Sequence, residues 1–233
     1  MPLILQEPPA QALAAIDAAV PKLTRLAPVQ PDSGPAVVAN PRVELRGAAI
    51  ARGVTAFARA RATGIFRDRA RAEVAVRASA ATPVAAPVHV LGLDELSRGG
   101  DLRASRPKLW THFLNDGEDR PAAVADVDAA NFRFASVEEG ASVVSLGGRV
   151  RALASEEANA PDRELAMIRV PALHLTAIWL KGRAGPQDDV VIPNDGPIAP
   201  LEPGRRYALQ EFMDIVKPMA AARIAMTTGD LGG

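Results

Sequence analysis

Three histidines, at positions 89, 112 and 174, are the side chains of this sequence best suited to acid–base or metal chemistry near neutral pH. His112 precedes an acidic stretch that begins at Asp116. On a helix these two side chains would share a face at i and i+4, which can orient an imidazole or supply half of a metal site. A hydrolase-type enzyme with a site at His112 and Asp116 is therefore one hypothesis.

His174 lies in the most apolar stretch of the chain, residues 169–182. On a strand it would share a face with Thr176 and Ile178, and both faces would be largely apolar, as in a central strand. We expect His174 to be a core or ligand-lining residue, with catalysis or metal binding as the alternative. His89, which lies between two valines, is predicted to be a strand residue without special chemistry.

Familiar catalytic and phosphate-binding motifs are missing from the sequence. It contains no G-x-S-x-G, G-x-x-x-x-G-K-[ST], G-x-G-x-x-G or H-E-x-x-H. The absence of cysteine excludes disulfides, zinc–thiolate sites, iron–sulfur clusters and cysteine nucleophiles. We therefore predict neither a metal nor a cofactor. These absences favour a non-enzymatic protein but leave an enzyme open, because a site can assemble from residues far apart in sequence.

A strand pattern over residues 66–78 has one apolar face and one basic face, because its odd positions carry arginines. The arginines of this face are Arg67, Arg69, Arg71 and Arg77. Guanidinium groups this close repel one another, so we expect the face to meet acidic protein surface or solvent. Binding of nucleic acid or another anion is the alternative, although no aromatic residues are interleaved for base stacking.

Residues 1–36 are predicted to form an arm rich in alanine and proline. Leu13, Ile16 and Val20 recur at helical spacing and predict a short amphipathic helix, which Pro21 should end or kink. Such a helix docks on its own domain, which we expect first, or on a partner.

Residues 37–233 are predicted to form one main α+β domain, because the order of helices and strands is mixed rather than a regular βαβ alternation. The Ala/Pro-rich residues 79–88 are a candidate internal boundary. Helices are expected at residues 106–114, at 141–157 in preference to a hairpin, and at 205–216, where Pro218 should end the last one. Extended runs are expected on both sides of Pro171.

Charge is divided between the two halves of the sequence. Residues 1–111 carry 15 basic and 9 acidic side chains, whereas residues 112–233 carry 12 and 18. Oppositely charged surfaces can meet within one chain or between copies of it. Together with the arm and the arginine face, this favours a binding or assembly protein that acts through protein–protein contacts, including self-association into a homo-oligomer.

Cellular location is predicted from signals that the sequence lacks. We find no leader and no apolar run of the roughly 18 residues that a membrane span requires. Arginine and alanine are abundant, which is typical of GC-rich bacterial coding. The expectation is a bacterial protein of the cytoplasm.

Overall fold

The computed structural model describes residues 3–26, 84–115, 121–156, 162–194 and 199–229. These residues form an α+β fold, as predicted from the sequence. The strands are β1 (Val84–Val90), β2 (Leu109–Asn115), β3 (Pro121–Asp128), β4 (Phe134–Glu139), β5 (Arg163–Val170), β6 (Leu175–Gly182), β7 (Val190–Pro193) and β8 (Tyr207–Ala208). The helices are α1 (Ala10–Leu26), α2 (Leu93–Ser97), α3 (Ala141–Glu156) and α4 (Leu209–Gly229). Of the helices in these ranges, none is both long and apolar enough to cross a membrane.

All eight strands belong to one sheet, in the order β4-β3-β2-β1-β5-β6-β7-β8. Neighbouring strands pair antiparallel within β1–β4 and within β5–β8. The two groups join where residues 88–90 of β1 pair parallel with residues 167–169 of β5. Each group therefore consists of hairpins between strands that follow one another along the chain.

Pro87 lies within β1, a central strand, although proline cannot donate to a ladder. The Lys108 N–H donates to the Val88 carbonyl, so Val88 directs its backbone groups toward β2. Because these groups alternate in direction along a strand, the Pro87 nitrogen faces the β5 side. Pairing with β5 begins only at Val88, so the proline interrupts no hydrogen bond there.

Helices cover both faces of the sheet. Face A packs against α1, α2 and α4 and carries the apolar clusters around Trp110 and Trp179. Face B packs against α3 and carries the apolar cluster around Met167. Because β1, β5 and β6 have apolar neighbours on both faces, their sequences are nearly continuous apolar runs rather than alternating ones.

The N-terminal segment, residues 3–26, contacts both faces. Leu3 is buried in the cluster on face B, whereas Ala12 and Ile16 of α1 are buried on face A. Between them, Ile4 forms a parallel bridge with Glu164 of β5. Two backbone hydrogen bonds of 2.9 and 3.0 Å hold this bridge, from the Ile4 N–H and from the N–H that follows Glu164. This segment thus docks on the domain of its own chain.

Two segments between residues 79 and 115 form strands where the sequence predicts a connector or a helix. The helix expected at residues 106–114 is replaced by β2, because Trp110, Thr111 and Phe113 are strand-favouring residues with buried surroundings on both faces. Residues 84–88 of the expected Ala/Pro connector form most of β1 and are a central strand. The rest of that connector, residues 79–83, lies outside the described ranges.

Prolines do not end the helices that contain them. α1 continues past Pro21, where the sequence predicts an end or a kink, and α4 continues through Pro218, where the sequence predicts an end. Asp214, one turn before Pro218, is exposed, so water can bond the carbonyl that loses its partner. The helix expected across Gly147 and Gly148 is confirmed as α3, with Gly147 buried and Gly148 exposed.

Candidate functional site

His112 lies on β2 rather than on a helix, and its imidazole is fully buried. It shares face A with Trp110 and Leu114, and its neighbours on the adjacent strands are Ala85 and Ala125. Neither ring nitrogen has a hydrogen-bond partner among the described residues. Burial lowers the pKa of this histidine to about 4, against the opposing charge of a nearby aspartate. The side chain is therefore neutral and closed off from solvent in this conformation.

His174 is exposed, so the prediction that it lies in the core is wrong. Pro171–Leu173 form a 3-10 turn after β5, and His174 follows it in the left-handed region at φ 51°. The strand β6 begins only at Leu175. The apolar residues around His174 therefore belong to a turn and two strands, and no strand face is shared with Thr176.

The remaining sequence-predicted site residues are only partly described. Ile16 is buried in the cluster on face A and Leu13 is half-buried, whereas the side chain of Val20 lies outside the described part. Outside the described ranges lie Asp116, Arg67, Arg69, Arg71 and Arg77. Ile16 is thus occupied within its own chain and is not free to contact a partner in this conformation.

The described residues bring together a polar cluster around His89 on face A, which sequence reasoning missed. His89 is buried, with Nδ1 2.7 Å from Ser105 Oγ and Nε2 3.1 Å from Lys181 Nζ. Its ring meets the Trp179 ring edge to face, with centroids 5.1 Å apart. We call the residues His89, Ser105, Trp179 and Lys181 the His89 cluster.

The donors and acceptors of the His89 cluster fix its protons. An ammonium only donates, so Lys181 requires a lone pair on His89 Nε2. His89 then carries its proton on Nδ1 and donates it to Ser105 Oγ, whose hydroxyl donates to the Leu102 carbonyl at 2.7 Å. Burial first, and the Lys181 charge second, lower the pKa of His89 to about 4, which keeps the ring neutral.

Asp189 connects this cluster to two loops. Its carboxylate is buried and accepts from Trp179 Nε1 at 3.1 Å and from the Gly182 N–H at 2.8 Å. Arg103 binds the same carboxylate through Nε at 2.8 Å and Nη2 at 2.6 Å. Its Nη2 also donates to the carbonyls of Gly182 and Gly185. The loop after α2 and the loop after β6 are thereby held together beside Trp179.

Lys181 is half-buried at the edge of the cluster. Its Nζ lies 4.2 Å from the centroid of the Trp179 ring. Glu164 is its register partner on β5 and accepts from Gln6 Nε2 at 3.0 Å. Burial lowers the pKa of Lys181, although the carboxylates of Glu164 and Asp189 act in the opposite direction. Desolvation thus shifts this lysine toward its neutral form, whereas the contact with the Trp179 ring favours the ammonium.

Ser105 next to His89 resembles a nucleophile next to a base, but the protons run the other way. In a serine–histidine pair the hydroxyl donates to the imidazole, and an acidic group holds the far ring nitrogen. Here a cation donates to the far nitrogen, and the hydroxyl donates to a backbone carbonyl. The cluster therefore does not activate Ser105 as a nucleophile.

A second polar cluster lies on face B around Asp126. This buried carboxylate accepts from Thr111 Oγ1 at 2.5 Å, from Ser136 Oγ at 3.0 Å and from Arg169 Nη1 at 2.5 Å. Burial alone would lower the pKa of Arg169, but Asp126 and Glu138 raise it, so the guanidinium stays charged. The Asp126–Arg169 ion pair links β3 to β5, and hydrogen bonds from Thr111 and Ser136 occupy the rest of the carboxylate.

Metal ligands are not gathered in the described ranges: no group of three or more His, Asp or Glu side chains there could hold a metal ion. Comparison with known proteins adds no relative. No protein-family model, curated protein or solved structure matches this chain. The site has to be interpreted from its own geometry.

The sequence carries one weak signal of the His89 cluster. Trp179 and Lys181 are two residues apart on one strand and therefore share a face, which places a cation beside an indole. His89 is 92 residues away and reaches Lys181 only because β1 and β6 both flank β5. That strand order is not readable from the spacing of the residues.

Proposed function

We propose that this chain is a non-enzymatic binding or assembly protein that acts through protein–protein contacts, with its N-terminal segment exchanged between copies. The observation behind the proposal is the way residues 3–26 pack on the sheet. Leu3, Ala12 and Ile16 supply the buried side chains, and Ile4 supplies one bridge to β5. All of these contacts reach strands that lie at least 58 residues beyond the segment.

Exchange of this segment requires no new contact. A second copy presents the same binding surface. The backbone hydrogen bonds that Ile4 makes in its own chain can therefore form between two chains without change. Residues 27–83 connect Leu26 to β1 and can span at most about 200 Å when fully extended. The balance between the closed and the exchanged form then depends on protein concentration against the effective concentration within one chain.

Because the sequence contains no cysteine, any disulfide in the following test must join introduced cysteines. Chains carrying Ile4→Cys and chains carrying Glu164→Cys are refolded together at high concentration and oxidised, and the products are weighed by intact-mass spectrometry. The exchanged form gives a covalent heterodimer. The matched control mixes Val190→Cys with Ala208→Cys, which pair between β7 and β8 within one chain and report the level of random cross-linking between natively folded chains.

The result expected is a heterodimer yield well above this control. The chain carrying both Ile4→Cys and Glu164→Cys reports whether the bridge itself exists. An intramolecular disulfide in that chain, together with a heterodimer yield no higher than the control, would overturn exchange. Native mass spectrometry of the unaltered chain then separates self-association by other surfaces from a monomer.

The two alternative functions receive no support from the described residues. A hydrolase site at His112 requires solvent access, and its imidazole is sealed on face A. Anion binding requires the face made by Arg67, Arg69, Arg71 and Arg77, which lies outside the described ranges. Retention on a polyanion resin that is lost when Arg67, Arg69 and Arg71 are replaced by glutamine would favour anion binding.

A further inference from the structure

His112 is a polar side chain enclosed in an apolar cluster. Its imidazole is buried on face A, and neither ring nitrogen has a hydrogen-bond partner among the described residues. Its neighbours along β2 are Trp110 and Leu114, and its register partners on the adjacent strands are Ala85 and Ala125. All four belong to the apolar cluster that also contains residues of α1. An imidazolium has two N–H donors, and these surroundings offer an acceptor to neither of them.

The helix α1 packs on this part of face A. Ala12 and Ile16 are its buried residues in the cluster around His112, whereas the buried residues of α2 and α4 belong to the other cluster of face A. From this arrangement we infer that protonation of His112 releases α1 from face A, so that the docking of this helix is a pH-sensitive switch. The inference goes beyond exchange of residues 3–26 between copies, because the release is a change within one chain.

The titratable groups described on the surrounding elements do not pair with His112. Asp126 on β3 points to face B, where it is bound by an arginine. Asp17 on α1 is exposed, and His89 on β1 is neutral and bonded within its own cluster. From β4, the cluster around His112 receives the apolar Val137. A proton on His112 therefore creates a buried charge without a partner, which is unfavourable in the docked form.

Release of α1 removes this penalty. Burial lowers the pKa of His112 to about 4 in the docked form, and the charge of Asp126 on the other face opposes this only in part. When α1 leaves, water reaches the ring and the pKa returns toward 6.5. The open form then binds the proton more tightly, so docking weakens as the pH falls from 6.5 toward 4. At pH 5.0, opening becomes about 25-fold more favourable than at pH 7.5.

α1 can leave more easily than the strands that hold His112. Backbone ladders bind β2 to β1 and to β3, whereas no backbone hydrogen bond between described residues joins α1 to a strand. Leu3 and Ile4 are anchored separately, in the cluster on face B and at the bridge to β5. The helix can therefore leave face A while the start of the segment stays in place.

Hydrogen exchange measured by mass spectrometry tests the inference on the full chain. Dilute protein is used, so that exchange between copies does not contribute. Protection factors, which correct for the pH dependence of intrinsic exchange, are compared between α1 and α3 at pH 7.5 and pH 5.0. We expect α1 to be less protected than α3 at both pH values and to lose about 25-fold in protection at pH 5.0. Equal protection of the two helices at both pH values, or a loss in α1 below about threefold, would overturn the inference.

Variants of His112 separate its effect from that of other titrating groups. His112→Leu has a similar volume and no proton to bind, so the protection of α1 should differ by less than about threefold between the two pH values. His112→Met, with an unbranched and adaptable side chain, replaces this variant if it does not fold. The matched control is His174→Asn at an exposed position, which should retain the acid-dependent loss of the parent. A loss in the folded His112 variant as large as in the parent would contradict the inference, because another group would then drive the release.

Discussion

Replacing His112 with leucine should make the protein more stable, although the position is fully buried in a central strand. The imidazole lies among Trp110, Leu114, Ala85 and Ala125, and neither ring nitrogen is hydrogen-bonded to a described residue. A buried polar group without a partner costs about 1–3 kcal/mol. Leucine has a similar volume and no polar atom, so we expect the free energy of unfolding to rise by about that amount at pH 7.5.

Acid should increase the difference between the two proteins. The pKa of His112 is about 4 in the folded protein against 6.5 for an unperturbed histidine, so the unfolded chain binds more protons between these values. Above pH 6.5 proton binding at His112 costs the folded protein no stability. The free energy of unfolding falls as the pH drops from 6.5 toward 4, because the unfolded chain takes up the proton first. At pH 4.5 the loss comes to about 2.5 kcal/mol. The similar effect of His89 occurs in both proteins and cancels.

Urea unfolding of the parent and of His112→Leu at pH 7.5 and pH 4.5, followed by circular dichroism, measures both effects. His174→Asn is the matched control, because His174 is exposed in a left-handed turn position that asparagine tolerates. A variant less stable than the parent at pH 7.5 would refute the reasoning about unpartnered nitrogens. An unchanged difference between the two pH values would refute the reasoning about proton binding.

Three further substitutions follow from contacts described above. Asp126→Asn removes the carboxylate that binds Arg169, whose side chain is only 16% exposed, and should cost about 3–5 kcal/mol in urea unfolding. Gly182→Ala would place a Cβ against the Cβ and backbone of Asp188 and should destabilise by at least about 1–3 kcal/mol. Gly148→Ala, on the exposed side of α3 with no atom within 4 Å of the new Cβ, should stabilise by about 1 kcal/mol. Thermal unfolding of the two glycine variants side by side gives opposite shifts if both contacts are as described.

Sequence patterns were most informative where the environment differs between the two sides of an element. α3 shows this, because Val143, Leu146, Val150 and Leu153 occupy one buried stripe of a helix that is exposed elsewhere. β2 shows the opposite case, because a strand buried on both faces has no alternation to detect. Its residues therefore also fit a short helix on spacing alone.

The sequence predicts the His89 cluster less well than it predicts the helices and strands, because the cluster depends on strand order. His89 and Lys181 are each unremarkable in their local sequence, and β5 brings them together by lying between β1 and β6. The prediction for His174 is wrong for a local reason. Pro171 begins a short turn after β5, His174 ends that turn, and the next strand starts only at Leu175. Turn geometry after a proline outweighed the apolar character of the run.

The strand order β4-β3-β2-β1-β5-β6-β7-β8, with β1 parallel to β5, is the order that a two-fold rotation about an axis along the strands would generate from one four-stranded unit. Such a rotation exchanges the two faces of the sheet, and α3 and α4, which follow the fourth strand of each unit, indeed lie on opposite faces. The single chain therefore has the layout of a dimer of two strand-and-helix units. Residues of both units share the apolar cluster of face B, Val143 and Leu146 from the first and Ile178 and Ile192 from the second. The core of that face is thus continuous across the two units, and cutting the chain between them would leave two halves with open apolar faces.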